Sequence, residues 1–168
     1  MNVTSAPQEG TNFELRMPIW RGKTNAADEG GRGDSPQGFD NQADRANILI
    51  LEDDEAVRSF MARVVSDRAY DYQLAGSGLE ALDQFRSGNF QVAIIDLGMP
   101  GMSADALSQE LRRLDPRLVT VLNSGWRLSA GDGRLDSFDL YNHKPFHVAE
   151  IAALLERATG LYKSRTST

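Results

Sequence analysis

Asp96 ends an apolar run, Val92-Ala93-Ile94-Ile95, and four acids, Glu52-Asp53-Asp54-Glu55, end a second run, Ile48-Leu49-Ile50-Leu51. Carboxylates drawn together from two such runs repel one another unless a cation neutralises them. The chemistry they suggest is binding of a divalent metal and reaction at one aspartate. Lys144, ahead of Pro145-Phe146, and Ser124, ahead of Gly125-Trp126, follow further apolar stretches and could add a positive charge and a hydroxyl to the same place. Asp54 and Glu55 are better explained as acids favoured at the start of the next helix.

Uninterrupted runs of branched aliphatic residues read as strands buried on both faces of a parallel sheet. Ligands of open α/β sheets bind in the crevice at the carboxyl ends of the strands, where these acids would stand. The intervening segments supply helices. Val57, Phe60, Met61, Val64 and Val65 share one helical face; Ser77 offers an N-cap for a helix with Leu79, Leu82 and Phe85 that closes at Gly88. A strand is expected near Tyr72 to Ala75. Ser103 caps a helix carrying Ala106, Leu107, Leu111 and Leu114, which stops at Asp115-Pro116. Leu118 to Leu122 and Leu140-Tyr141 complete five strands, and Val148, Ile151, Leu154 and Leu155 mark a last helix. Strands alternating with helices imply a parallel sheet covered on both faces. Only the stretch from Gly125 to Phe138 fits poorly: Gly131 and Gly133 each cost a helix about 1 kcal/mol, so its helix is expected to be short, distorted or mobile.

The 168 residues suit one domain with extensions. Cysteine is absent, which excludes disulfides and thiolate metal sites. A net charge of −6 argues against non-specific nucleic-acid binding, and no stretch is long enough to span a bilayer. A cytoplasmic, protein-facing role is expected, without nucleic acid or membrane as partner.

Glu52, Asp53, Asp96, Ser124 and Lys144, each in its motif, follow in an order and spacing that strongly resemble the receiver domain of two-component response regulators, over residues 47–160. The motifs are Ile48 to Glu55, Ile94-Ile95-Asp96-Leu97-Gly98-Met99-Pro100-Gly101-Met102, Leu122-Asn123-Ser124-Gly125-Trp126 and Lys144-Pro145-Phe146. The resemblance implies a flavodoxin-like (βα)5 fold, a doubly wound five-stranded parallel sheet. It implies that Asp96 is the phosphoacceptor, that Glu52, Asp53, Asp96 and the Gly98 carbonyl hold Mg²⁺, and that Lys144 and Ser124 contact the phosphoryl oxygens. Tyr141 occupies the place of the family's switch aromatic, coupled to Ser124. Implied partners are a histidine kinase or a histidine phosphotransfer protein, with a homodimer as an open alternative. Gly98 and Trp126 fall where this family tunes hydrolysis of the aspartyl phosphate; neither offers a group to orient water, so a slowly hydrolysing phosphoform is expected. An aspartate-nucleophile phosphatase would carry an acid two residues after the nucleophile, where Gly98 stands. A pseudo-receiver acting without phosphorylation would lack an acid or the lysine, and none is missing here.

The chain's start has another character. Val3 to Pro18 includes Ser5-Ala6-Pro7-Gln8-Glu9-Gly10-Thr11-Asn12-Phe13-Glu14-Leu15, with Phe13, Leu15 and Met17 alternating as in a half-buried strand. It resembles the terminal hairpin of the ATP-binding domain of sensor histidine kinases. Residues 1–19 therefore read as a remnant of that hairpin, mostly disordered without partner strands, and the chain as the carboxyl end of a hybrid histidine kinase. Residues 20–46 read as a flexible linker, in which Arg32-Gly33-Asp34 is a chance adhesion tripeptide. Residues 161–168 read as a short tail, too short for an output domain, so the signal would pass to a partner.

Overall fold

The computed structural model describes residues 2–6, 10–14 and 45–167. The first two segments form an antiparallel hairpin, β1 (Asn2–Ala6) and β2 (Gly10–Glu14), with Val3 opposite Phe13. Leu15, Met17 and the expected linker up to residue 44 lie outside the described residues.

The larger unit alternates strand and helix. In chain order it comprises β3 (Asn47–Leu51), α1 (Glu55–Ser66), β4 (Asp71–Ala75), α2 (Gly78–Ser87), β5 (Val92–Asp96), α3 (Ala104–Leu114), β6 (Val119–Ser124), β7 (Leu140–His143) and α4 (Val148–Thr166). The five strands are parallel and ordered β4-β3-β5-β6-β7. This is the flavodoxin-like arrangement, whose topological switch point lies between β3 and β5. Those are the two strands that end at Glu52 and Asp96.

Strand alternation divides the core into two layers. Ile48, Ile50, Val92 and Ile94 face α1 and α4, where they meet Val65, Ile151 and Leu155. Leu49, Leu51, Ala93 and Ile95 face the other way, toward Leu82, Phe85, Leu107 and Leu111 of α2 and α3. Each large aliphatic side chain so buried contributes roughly 1.5–3 kcal/mol, which fixes the strand ends that carry the site. The helices begin where the sequence indicates. Asp54 Oδ1 accepts from the Ala56 and Val57 amides at 2.8 and 3.1 Å. Ser77 Oγ caps α2 through the Glu80 amide, and Ser103 Oγ caps α3 through that of Ala106.

Three features refine or overturn the sequence-based expectation. Between β6 and β7 no α-helix forms; the crossover holds a single 3-10 turn, Gly133–Leu135, and Gly131 takes a positive φ of 93° that would break a helix. The four α-helices therefore leave one edge of the sheet lightly covered. Phe60 and Leu79, expected on buried helical faces, are 40% and 72% exposed, because each sits at the margin of its apolar stripe. The expected tail instead continues α4 to Thr166. Arg165 holds it down, donating to the Leu118 carbonyl at 2.8 Å and pairing with Asp139.

Candidate functional site

The carboxyl ends of β3 and β5 bring Glu52, Asp53 and Asp96 together, with carboxylate oxygens all within 4.8 Å of one another. Glu52 and Asp96 are buried, while Asp53 is exposed. Lys144, in the loop after β7, reaches across the sheet to both buried acids. Its Nζ lies 2.7 Å from Glu52 Oε2 and 2.8 Å from Asp96 Oδ1. Burial raises the pKa of Glu52, opposed by the Lys144 hydrogen bond and reinforced by the nearby Asp96 charge. Burial also works against the Lys144 charge, but its hydrogen bonds to Asp96 and Glu52 outweigh that and hold its pKa above the ordinary value.

The loops are pinned to one another at their ends. The Leu97 amide donates to the Asn123 carbonyl at 2.8 Å, and the Lys144 amide to the Ser124 carbonyl at 2.7 Å. Asp96 pairs with Asn123 in the sheet, so Asp96, Ser124 and Lys144 are held in register from three adjacent strands. The Gly98 amide donates to Asp96 Oδ2 at 3.0 Å. A Cβ at position 98 would stand 3.0 Å from that same oxygen, so glycine leaves the carboxylate approachable.

Ser124 and Tyr141 meet on one backbone group. Ser124 Oγ donates to the Trp126 carbonyl at 3.2 Å and accepts from the Trp126 amide at 2.9 Å. The Tyr141 hydroxyl donates to the same Trp126 carbonyl at 2.7 Å and accepts from the Leu128 amide at 3.2 Å. Ser124 therefore turns its hydroxyl into its own loop. Trp126 itself is 70% exposed. The polar pair Asn123 and Asn142, unexplained by pattern alone, is a buried cross-strand hydrogen bond of 3.0 Å between side chains on β6 and β7.

One contributor is invisible to motif reading. Arg58, one turn into α1, donates to the Glu52 carbonyl at 2.7 Å and holds the acidic loop against the helix. Its only sequence signal is its position six residues after Glu52. Beside Lys144, Phe60 stacks on Phe146 with ring centroids 6.0 Å apart, forming an apolar wall with Val57 and Pro145.

The donor set fits magnesium. Three carboxylates are hard oxygen ligands suited to Mg²⁺, and exposure of Asp53 leaves the cluster open to water.

The response regulator receiver domain model matches residues 48–156. Among curated relatives, the sensor kinase CckA of Brucella abortus is 26% identical over 154 residues, which cover 88% of this chain and 16% of that protein. The response regulator MprA of Mycobacterium avium is 33% identical over 108 residues, covering 63% of this chain and 47% of that protein. The chain thus spans about one sixth and about half of these relatives. Among solved structures, a CheY-like receiver domain protein from Methanospirillum hungatei superposes with a TM-score of 0.67 at 20% identity, covering 72% of this chain and 98% of that one. The response regulator TrrA of Thermotoga maritima, in complex with Mg²⁺ and BeF, gives 0.63 at 26% identity, covering 67% of this chain and 98% of that one. With five parallel strands, an acidic crevice at their switch point and a family match over most of its length, the chain belongs to the response regulator receiver domain family.

Proposed function

We propose that this chain is a phosphoacceptor, taking a phosphoryl group onto Asp96 from a phosphohistidine. The observation that carries the reading is Lys144 bridging Asp96 and Glu52, with Asp53 alongside, at the open end of the sheet. An Asp96 carboxylate oxygen forms the new P–O bond while the P–N bond breaks and its electron pair returns to the imidazole. Lys144, fully charged at neutral pH, turns from the acids to a phosphoryl oxygen as a point charge. Ser124 leaves the Trp126 carbonyl and donates its hydroxyl to a second oxygen. Glu52, Asp53, Asp96 and the Gly98 carbonyl would hold Mg²⁺, which when bound would supply positive charge to offset the repulsion between a carboxylate and a dianion. Catalysis of this kind is positioning and charge stabilisation, and the chain needs no further enzymatic activity.

The donor is a histidine kinase or a histidine phosphotransfer protein in the cytoplasm. The apolar wall of Phe60 and Phe146 beside Lys144 gives such a partner a landing surface next to the reacting carboxylate. The match to CckA extends over 88% of this chain, well beyond residues 48–156, and a hairpin precedes the receiver. Both support the reading that residues 1–19 are the end of a kinase domain and that the chain is the carboxyl part of a hybrid histidine kinase, with residues 20–46 as its linker.

Incubation with acetyl phosphate and Mg²⁺ tests the proposal by intact mass. Wild type should gain one phosphoryl group and Asp96→Asn none. An unchanged wild-type mass, together with no spectral response to beryllofluoride, would refute it in favour of a binding module that works without phosphate.

A further inference from the structure

Asp96, Asn123 and Asn142 stand opposite one another on the adjacent strands β5, β6 and β7. Side chains alternate along each strand, and Val92, Ile94, Val119, Val121 and Leu140 all belong to the apolar layer beneath α1 and α4. Two residues further along, the same face carries a polar row instead. Its members, Asp96, Asn123 and Asn142, are only 6%, 2% and 9% exposed. A buried amide costs free energy unless its polar atoms are satisfied. Asn142 Nδ2 donates to Asn123 Oδ1 at 3.0 Å, and Asn142, at the outer end of the row, also lines a cavity of about 590 Å³ beside β7. That bond fixes the planar Asn123 amide. With Oδ1 turned to β7, Nδ2 lies on the opposite edge, toward β5 and Asp96. The reverse orientation would set the Asn123 oxygen against the Asp96 carboxylate, acceptor against acceptor. Asn123 Nδ2 has no acceptor among the described residues. The Asp96 oxygens are held by other donors, Oδ1 by Lys144 Nζ at 2.8 Å and Oδ2 by the Gly98 amide at 3.0 Å.

We propose that Asn123 is a positioning residue for phosphorylation of Asp96, and that Asn142 acts through it. This role rests on the phosphoacceptor reading. When Lys144 turns from Asp96 to a phosphoryl oxygen, the carboxylate loses its donor at Oδ1. The Asn123 amide is the next donor along the row and takes that place, so the carboxylate keeps its direction while the new P–O bond forms. Because Asn142 already fixes the amide, little reorganisation is needed at that moment. A neutral amide does this without adding a charge to the acidic crevice. A pair that served only to fix the register of β6 on β7 would behave differently, since replacing both partners of a buried hydrogen bond by apolar groups of the same shape is nearly neutral.

The test follows phosphorylation of the full chain by intact mass, at saturating Mg²⁺ over a range of acetyl phosphate concentrations, alongside urea melts. Leu has nearly the shape of Asn without its polar atoms. Asn123→Leu should lower the maximal rate about fivefold or more, with the half-saturating acetyl phosphate concentration within about twofold of wild type. Asn142→Leu, which frees the Asn123 amide to turn, should lower it about two- to threefold. Asn123→Leu/Asn142→Leu should be no slower than Asn123→Leu, because one residue acts through the other, and should regain most of the stability lost in the single variants. Thr159→Val, which removes a buried hydroxyl elsewhere in the domain, should stay within about twofold of the wild-type rate. A double variant that is phosphorylated within about twofold of the wild-type rate would overturn the proposal and leave the pair a structural clip. Losses that multiply in the double variant would overturn the action of Asn142 through Asn123. If a single variant fails to fold, the double variant, with both polar partners gone, still decides between the two roles. A wild type that gains no mass overturns the phosphoacceptor reading and this role with it, whereas a wild type that gains mass at the same rate as the variants overturns this role alone.

Discussion

Replacing Lys144 by Met keeps the length of the stem and removes its charge, leaving Glu52 and Asp96 facing each other at the end of the sheet. Their side chains are 3% and 8% exposed, and the Nζ that now links them lies 2.7 and 2.8 Å away. Removing one partner from a buried ion pair costs roughly 3–5 kcal/mol. Lys144 is 21% exposed and water reaches Asp53, so the lower end applies, about 3 kcal/mol by the same principle. At roughly 4 °C per kcal/mol for a domain of this size, the melting temperature should fall by about 12 °C. The loss must depend on pH. The folded pKa of Glu52 already exceeds its ordinary value of 4.5, through burial above all, and loss of the Lys144 hydrogen bond raises it further. A carboxyl whose folded pKa is raised stabilises the fold when protonated, and that stabilisation disappears as pH rises through the folded value. The variant should therefore lie closest to wild type near pH 5 and furthest from it near pH 8. Mg²⁺ should restore part of the deficit, since a cation again stands among the acids. Urea melts of wild type, Lys144→Met and Lys144→Met/Glu52→Gln at both pH values, with and without Mg²⁺, measure each contribution. A deficit below about 1 kcal/mol at pH 8, or one that neither pH nor Glu52→Gln reduces, would show that the buried charges do not interact as described.

Mg²⁺ affinity should weaken as pH falls through the raised pKa of Glu52, above 4.5, because the proton competes for a ligand; calorimetric titrations between about pH 5 and pH 7.5 would show it. Arg58→Ala should weaken Mg²⁺ binding by up to about tenfold without touching a metal ligand, since a charged hydrogen bond to the Glu52 carbonyl is worth about 1.5 kcal/mol and only part of it reaches the carboxylates; calorimetry at constant pH checks it. Tyr141→Phe removes both hydroxyl bonds at the Trp126 loop and should cost about 1 kcal/mol while releasing the Leu128 amide to hydrogen exchange. The phosphoform should decay slowly, and Gly98→Asn, which places a carboxamide beside Asp96, should speed that decay; rapid decay of wild type in an intact-mass time course would contradict this. Arg165→Ala should lower stability by about 2 kcal/mol, by the cost of an unpaired charge. Burial opposes ionisation of Asp139, but Arg165 and the Thr120 amide hold its pKa below 3.8, so their share of the stability is present above that value and vanishes on acidification, as acid titration of the melting temperature would reveal.

Much of the site was legible because its signals are local. Apolar runs ending in Glu52 and Asp96 mark strand ends, and Ser77, Ser103 and Asp54 mark helix starts through bonds made within three residues. The order of acids, serine and lysine carries the family, since each must follow a particular strand. Phe60 and Leu79 were misplaced because a helical period of 3.6 identifies a face but not where its margin meets solvent. The glycines at 131 and 133 signalled a defective helix; that a 3-10 turn replaces it, and that a cavity opens beside β7, follows from what packs there.

The amino-acid sequence by itself determined the alternation of strands and helices and the acids that gather at strand ends, because period, caps and charge act over a few residues. The tertiary structure alone decided that Lys144 bridges Asp96 and Glu52, the latter 92 residues away, that Arg58 grips the acidic loop, that Asn123 meets Asn142, and that Ser124 and Tyr141 share one carbonyl. Those contacts join groups that have no sequence relation, and only the strand order and register bring them within hydrogen-bonding distance.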